Sequence, residues 1–373
     1  MSLRSRILLA GDIHSKVDNV YRLAMALQTK KLMPNLVILT GDLINANHDY
    51  QSPSSPSSSS VSSQLTRMRT TAEETQFRAV LTAFGSISRN VMYVPGNHDP
   101  REAFPDLVPA VDLGVRDEGR ERRDNGEEAL KHAPLWQRMM YETGAVNFHS
   151  RLVRLAPNLV MAGLGGSVPQ TDYNRPNTTI HPGYPYTDPL LKTALLNLLR
   201  AKRHFLTLHP AFNIIAKSHR RADTSPSSLP SAPTTPTDPD THILITHCGP
   251  ARCATTDTYP KPWLCDSKRI ESGSDGVRSV VTHMWCQGVQ PPPPSSTSQI
   301  TTPTGDTQQQ PPLLFHAHGH AHTSWGLSQL GNVPVINPGA LRDGRYAVVT
   351  VERSWGEEGR VWRVEDVRFG CVR

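Results

Sequence analysis

The sequence predicts an α/β fold of mostly parallel, buried strands, interrupted by long polar insertions at the surface. Three observations carry that expectation. Apolar runs of about five residues recur along the chain, each ending in a glycine-bearing polar loop. Segments with apolar residues at helical spacing lie between several of these runs. Tracts dense in Ser, Pro and Thr separate the patterned parts.

The first run, Arg6–Ala10 (RILLA), stops at Gly11-Asp12-Ile13-His14. A helix follows, with Val17, Val20, Tyr21, Ala24 and Leu27 on one face and Ser15 at the N-cap position. Asn35–Leu39 (NLVIL) repeats the layout and ends at Thr40-Gly41-Asp42. A second helix, with Phe77, Val80, Leu81 and Phe84 on one face, leads to Asn90–Val94 (NVMYV), which ends at Pro95-Gly96-Asn97-His98-Asp99. Val160–Leu164 ends at Gly165-Gly166, and His242–Thr246 ends at His247-Cys248-Gly249-Pro250. The sixth run, Leu313–Ala317, leads into Gly319-His320-Ala321-His322. Continuous apolar runs with helices between them read as parallel strands buried on both faces.

A hydrophobic fraction of 37% is low for 373 residues, but the deficit is local. It falls in stretches such as YQSPSSPSSSSVSSQ, ADTSPSSLPSAPTTPTDPDT and VQPPPPSSTSQITTPTGDTQQQPP, and in the charged run RDEGRERRDNGEE. None of these buries enough apolar surface to offset its ordering entropy. Disordered insertions are therefore expected at 50–66, 116–132, 222–241 and 289–312. The remaining roughly 280–300 residues suffice for one core, so a single domain is expected over residues 4–371.

The formal charge of +6 permits acidic partners, but Lys and Arg are scattered without a dense stripe or interleaved aromatics. That argues against nucleic acid as a partner. The apolar run at the start is too short for a signal peptide, and no run approaches the ~20 residues of a membrane span. Cys248, Cys253, Cys265, Cys286 and Cys371 are odd in number and lack paired short spacings, which suits a reducing compartment. The expectation is a soluble cytoplasmic protein, with the nucleus and the oligomeric state left open.

Side chains at the carboxyl ends of parallel strands converge on one rim of a sheet. Here those ends carry Asp12, His14, Asp42, Asn97, His247, His320 and His322. Carboxylate, imidazole and amide oxygen are donors for divalent ions such as Mn, Fe or Zn. Seven exceed what one ion uses, and two ions sharing a carboxylate accommodate them. A single Gly-Asp is ordinarily a turn; the weight comes from the whole series occurring in order at strand ends.

That series resembles the signature of the calcineurin-like metallophosphoesterase superfamily: D-x-H, GD, GNH(D/E), a lone His after a strand, then GHxH. The resemblance implies a four-layer αββα sandwich with a dinuclear centre. Asp12, His14 and His322 would hold one ion, Asn97, His247 and His320 the other, and Asp42 would bridge them. It further implies hydrolysis of a phosphomonoester or phosphodiester, on a small phosphorylated substrate, by a hydroxide bridging two divalent metal ions. His98, outside the ligand set, would be the general acid. Asp99 would either orient His98 or cap a turn, and the turn is the preferred reading.

Departures narrow the branch. The stretch GDLINAN lacks the Arg of protein Ser/Thr phosphatases, and the third block is GNHD rather than GNHE. Position 45 is Asn, where purple acid phosphatases need Tyr. The best match is to the Icc-related predicted phosphoesterases, through GLGGSVPQTDYNRP (163–176), ILITHCGP (243–250) and INPGALRDGRYAVV (336–349). Two other functions compete: a noncatalytic interaction scaffold on the same fold, and a nuclease. The first predicts eroded ligands, yet all seven positions and His98 are intact.

Within HAHGHAH, His320 and His322 are thus ligands, while His316 and His318 lie upstream on the strand without a ligand role. Asn337-Pro338-Gly339 reads as a turn, Cys248 as a small packed residue and His283 as packed. Arg342 and Arg345 read equally well as phosphate partners or as solvated loop cations.

Overall fold

A computed structural model describes residues 3–46, 60–110, 130–172, 175–181, 183–200, 205–206, 240–258, 270–286, 312–356 and 359–372. From the N-terminus, β1 (Leu3–Ala10), α1 (Val17–Thr29), β2 (Leu36–Leu39), α2 (Ser60–Gly85), β3 (Val91–Tyr93), α3 (Leu135–Thr143) and β4 (Val146–Asn147) alternate. Two hairpins follow, β5 (Arg151–Ala156) with β6 (Leu159–Leu164) and β7 (Gln170–Asp172) with β8 (Arg175–His181). Next come α4 (Asp188–Arg200), β9 (Phe205–Leu206), β10 (Thr241–Thr246), β11 (Asp257–Thr258), β12 (Ile270–Glu271) and α5 (Asp275–Trp285). The chain closes with β13 (Leu313–Ala317), β14 (Gly326–Leu330), β15 (Val333–Asn337), β16 (Arg345–Gly356) and β17 (Gly359–Cys371).

The strands form two large sheets, ordered β17-β16-β1-β2-β3-β4 and β14-β15-β13-β10-β6-β5-β9, and a small one, β11-β12-β7-β8. At the centres the pairing is parallel, as the apolar runs predict: β1 to β2, β2 to β3, β6 to β10 and β10 to β13. The pairs β5–β6, β14–β15 and β16–β17 are antiparallel, because each is joined by a short loop that only an antiparallel pair can use, whereas the edge strands β4 and β9 pair parallel with β3 and β5.

Each run splits its side chains between two faces, and that builds the layers. On β1, Leu8 and Ala10 join Val37 and Leu39 of β2 and pack with Val20, Leu23 and Leu27 of α1 and Phe77, Val80, Leu81 and Phe84 of α2. Ile7, Leu9, Ile38 and Met92 point the other way, onto Met161, Ile243, Ile245 and Phe315 of the second sheet. The far face of that sheet, with Val160, Leu164 and Leu244, packs with Leu191 and Leu195 of α4 and Val277, Val280 and Val281 of α5. The order is helix, sheet, sheet, helix, the four-layer sandwich expected from the motif series.

Some local expectations are corrected. Helix α1 buries Val20, Leu23 and Leu27, whereas Tyr21 is 52% exposed; the true stripe runs i, i+3, i+7. Ser15 is not its N-cap: the cap position is Lys16, and Ser15 has φ 63 and donates its hydroxyl to Gln76 Oε1. His283 is exposed rather than packed. Helix α2 takes in residues 60–66 of the first expected insertion, a stretch with no proline after Pro56 to stop it. The greater part of the four insertions (50–59, 116–129, 222–239, 289–311) lies outside the described residues. Among the described residues no helix is long and apolar enough to cross a membrane.

Candidate metal centre

The carboxyl ends of β1, β2, β3, β10 and β13 open onto one rim, and the loops that leave them are tied to each other by backbone. Asp12 N donates to Gly41 O (2.9 Å), and Ile13 N and His14 N both donate to Asp42 O (2.8 and 3.1 Å). The pairing of β1 with β2 thus continues beyond the strands and brings Asp12, His14 and Asp42 together. Gly319 N donates to His247 O (2.9 Å), joining the β10 and β13 loops in the same way. Gly96 is required at the third loop: a Cβ there would sit 2.1 Å from Asp42 Oδ1. Asp12, His14, Asp42 and His320 all adopt left-handed backbone, with φ of 51, 48, 53 and 66. That conformation is uncommon outside glycine, and Asp and His are among the residues that tolerate it best. It aims consecutive side chains where an extended strand would separate them.

Two groups result. Asp12, His14, Asp42 and His322 form one, and Asp42, His247 and His320 the other, with donor atoms within 4.8 Å of one another in each. Asn97 Oδ1, 2.9 Å from His247 Nε2, adds an amide oxygen to the second. All seven expected residues therefore meet, and Asp42 belongs to both groups. In the first, His14 Nε2 lies 3.3 Å from His322 Nε2 and 3.9 Å from Asp42 Oδ2, and His322 Nε2 lies 3.1 Å from Asp12 Oδ1. In the second, His247 Nε2 lies 3.4 Å from Asp42 Oδ1. Donors about 3 Å apart span one edge of a coordination shell with bonds of about 2.1 Å.

The ring orientations fit ions as well. His247 Nδ1 donates to Thr40 O at 2.7 Å, which turns Nε2 toward Asp42 and Asn97. His14 Nδ1 bonds Asn45 Oδ1, which likewise turns Nε2 inward. Asp42 Oδ1 accepts from His98 N at 2.8 Å, but Oδ2 is buried without any hydrogen-bond partner. An unpartnered carboxylate oxygen between two donor groups is what a shared cation would satisfy.

The electrostatics are those of a site short of positive charge. Burial alone would raise the Asp12 and Asp42 carboxyls, but His322 beside the first and His247 beside the second outweigh it. Both stay ionised, Asp42 well below the usual carboxylate range. Burial would likewise lower His247, yet the adjoining Asp42 carboxylate carries it up to about 9. Burial, then His247, brings His320 down to about 3, and burial also lowers His14. Without metal, the raised His247 imidazole stands beside the Asp42 carboxylate.

Outer contacts absent from the motif reading hold this arrangement. Asn337 Nδ2 donates to Thr255 O, Ala321 O and Ser324 O (3.0, 2.9 and 3.2 Å), pinning the loop that carries His322, while its Oδ1 accepts from Gly339 N at 2.8 Å. The Asn-Pro-Gly segment is thus a turn with a clamp built in. Arg345 donates to His322 O at 3.1 Å and lies 5.1 Å over the Trp325 ring, so it braces the loop, whereas Arg342 is exposed.

Asp99 is fully buried and ties two loops, Oδ1 accepting from Ile44 N (3.0 Å) and Oδ2 from Gly96 N (2.8 Å). Asp99→Asn sets an amide donor against one of those backbone donors. It is expected to cost about 1–3 kcal/mol in urea unfolding of metal-free protein.

His316 and His318 stay out of both groups. His316 Nε2 meets Thr246 Oγ1 at 2.7 Å and His318 Nε2 meets Thr255 Oγ1 at 2.9 Å, both rings being buried. Cys248 is buried and its thiol is pushed up to about 12 by that burial, which makes it a packed, unreactive residue. His98 is exposed at the rim, its ring centroid 5.3 Å from that of His14.

The family profile described as calcineurin-like phosphoesterase matches residues 5–278. The chain belongs to the calcineurin-like phosphoesterase family. With the two buried His/Asp groups, it is a metal-dependent phosphoesterase. The match ends before His320 and His322, which the fold returns to the same centre. Among solved structures, TT1561 of Thermus thermophilus aligns at 12% identity over 99% of both chains, with a TM-score of 0.45. A dimetal phosphatase from Danio rerio aligns at 10% identity over 99% of both chains, with a TM-score of 0.38. The calcineurin-like phosphoesterase YfkN from Bacillus subtilis aligns at 10% identity over 99% of this chain and 90% of its own, with a TM-score of 0.37. A search of curated proteins finds no match.

Proposed function

We propose that the chain hydrolyses a small phosphomonoester or phosphodiester at a centre of two divalent ions, of the Mn, Fe or Zn class. Asp12, His14 and His322 take one ion, Asn97, His247 and His320 the other, and Asp42 takes both. The observation that carries this reading is Asp42 itself, buried, ionised and common to both groups, with Oδ2 unpartnered. When bound, two such ions supply Lewis acidity at the phosphoryl oxygens and acidify the attacking water.

The chain's own residues supply the rest. Thr40 and Asn45 fix the tautomers of His247 and His14, so that neither ring has to reorient on loading. Asp99, Asn337 and Arg345 hold the loops on which the donors stand. His98, whose side chain is outside both groups and open to solvent, donates the proton that the leaving oxygen needs. Within the family, the GGS, THCGP and NPGALRDGRYAV segments support placement with the Icc-related phosphoesterases.

The test is reconstitution. Protein stripped with a chelator is expected to be inactive, then to bind two ions per chain and hydrolyse an aryl phosphate or a bis-aryl phosphate when given Mn, Fe(II) or Zn. Two bound ions with no turnover of any monoester, diester or nucleotide would instead favour the interaction scaffold.

A further inference from the structure

We propose that Gln170 is a positioning residue for His320: it holds the Nε2 edge of the ring, so that Nδ1 is the atom offered to the second ion. This rests on the two-ion reading and goes beyond it, because it assigns a role to a residue outside the seven donors. Gln170 opens β7, in the small sheet that contributes none of the seven donors. It is half-buried, and its side-chain amide nitrogen lies 2.9 Å from His320 Nε2.

Two other histidines of the centre show the pattern that this contact completes. His14 and His247 each tie one ring nitrogen to an oxygen outside the donor set, from Asn45 and Thr40, and turn the other inward. A metal-bound imidazole needs this, since its remaining N–H must find an acceptor that fixes tautomer and ring plane. In His320 the tied nitrogen is Nε2, the reverse of the other two. An amide can present either its nitrogen or its oxygen from one position by a half-turn of the terminal torsion. With Nε2 protonated, the Gln170 oxygen turns to accept from it. The backbone of His320 is already fixed by its φ of 66 and by donation from its N to both Asp12 carboxylate oxygens at 3.1 Å. The ring torsions are the freedom left, and Gln170 removes it.

The consequence is selective. Loss of the Gln170 amide should loosen the second ion and leave the first, held by Asp12, His14 and His322, as it was.

The experiment titrates Mn(II) into stripped full-length protein by calorimetry, for wild type, Gln170→Ala and Gln170→Glu. It also locates the His320 ring proton in Zn-loaded, ¹⁵N-histidine-labelled wild type by long-range ¹H–¹⁵N correlation. Wild type should bind two ions, with the His320 proton on Nε2. Gln170→Ala should weaken the second ion by roughly 10–100-fold while the first keeps its affinity. Gln170→Glu should recover the second ion, because a carboxylate accepts the same N–H at least as strongly. The proposal is overturned if Gln170→Ala binds both ions like wild type, or if the His320 proton of loaded wild type sits on Nδ1. Wild type that takes up fewer than two ions would instead remove the two-ion reading itself, and the NMR result on wild type does not depend on how either variant folds.

Discussion

Asp42→Asn should leave the chain with at most one tightly held ion and lower turnover by roughly 10³-fold or more, since several kcal/mol of transition-state stabilisation go with the paired ions. The substitution is nearly isosteric and keeps an oxygen for His98 N, which bonds Oδ1 of the native carboxylate at 2.8 Å. The packing of the two loops is therefore retained, and the charge is what disappears. That charge faces both donor groups, through Oδ1 at 3.4 Å from His247 Nε2 and Oδ2 at 3.9 Å from His14 Nε2. A neutral amide offers one oxygen where two were shared. Ion binding also stabilises the fold it selects, by about 2.7 kcal/mol at a hundredfold excess over Kd. The metal-induced rise in melting temperature seen in wild type should accordingly shrink in the variant. Metal analysis, steady-state kinetics and paired melts with and without metal measure all three. An Asp42→Asn variant with two ions and undiminished rate would contradict the shared-carboxylate mechanism.

What could be read in advance has a simple physical basis. A buried parallel strand writes itself as an unbroken apolar run, and a ligand at its end interrupts that run with a charge or an imidazole beside glycine. Leu313–Ala317 is therefore a strand with the same limits in the sequence pattern and in the fold, and Asp12, Asp42 and His247 stand just past their strands in both. Other features depend on pairs of residues far apart in the chain. Asn337 meets Ala321 and Thr255, Gln170 meets His320, and Asn45 meets His14 only after the sheets are assembled. Nothing local marks an Asn or a Gln for such work. Position 45 shows the limit well: its Asn excluded a tyrosinate ligand, but its contact with His14 was invisible until the GD loop lay along the D-x-H loop. The small sheet was illegible for another reason. Its strands β7, β11 and β12 are two or three residues long, too short to show any period. The buried face of α1 is ambiguous in the sequence because Tyr21 and Leu23 are both apolar enough to fit the stripe, and only packing on β1 and β2 chooses between them.

His98→Ala should behave in the opposite way to Asp42→Asn, keeping both ions while losing rate. It is the His98 backbone nitrogen that bonds Asp42, so the carboxylate keeps this donor when the ring is removed. The ring is exposed, so its removal should change stability by no more than about 0.5 kcal/mol. General acid catalysis by a positioned imidazole contributes roughly 10²–10⁴-fold, and that sets the expected fall in kcat. The leaving group then separates this role from a merely steric one. An alkoxide departs poorly without a proton, whereas p-nitrophenolate departs well without one. The penalty of His98→Ala should therefore be near its full size on an alkyl phosphate and shrink by at least about tenfold on p-nitrophenyl phosphate. Metal content should remain two per chain in both cases. Equal losses on the two substrates, with both ions bound, would remove the acid role from His98 and leave it a contact at the rim, with the leaving oxygen taking its proton from solvent.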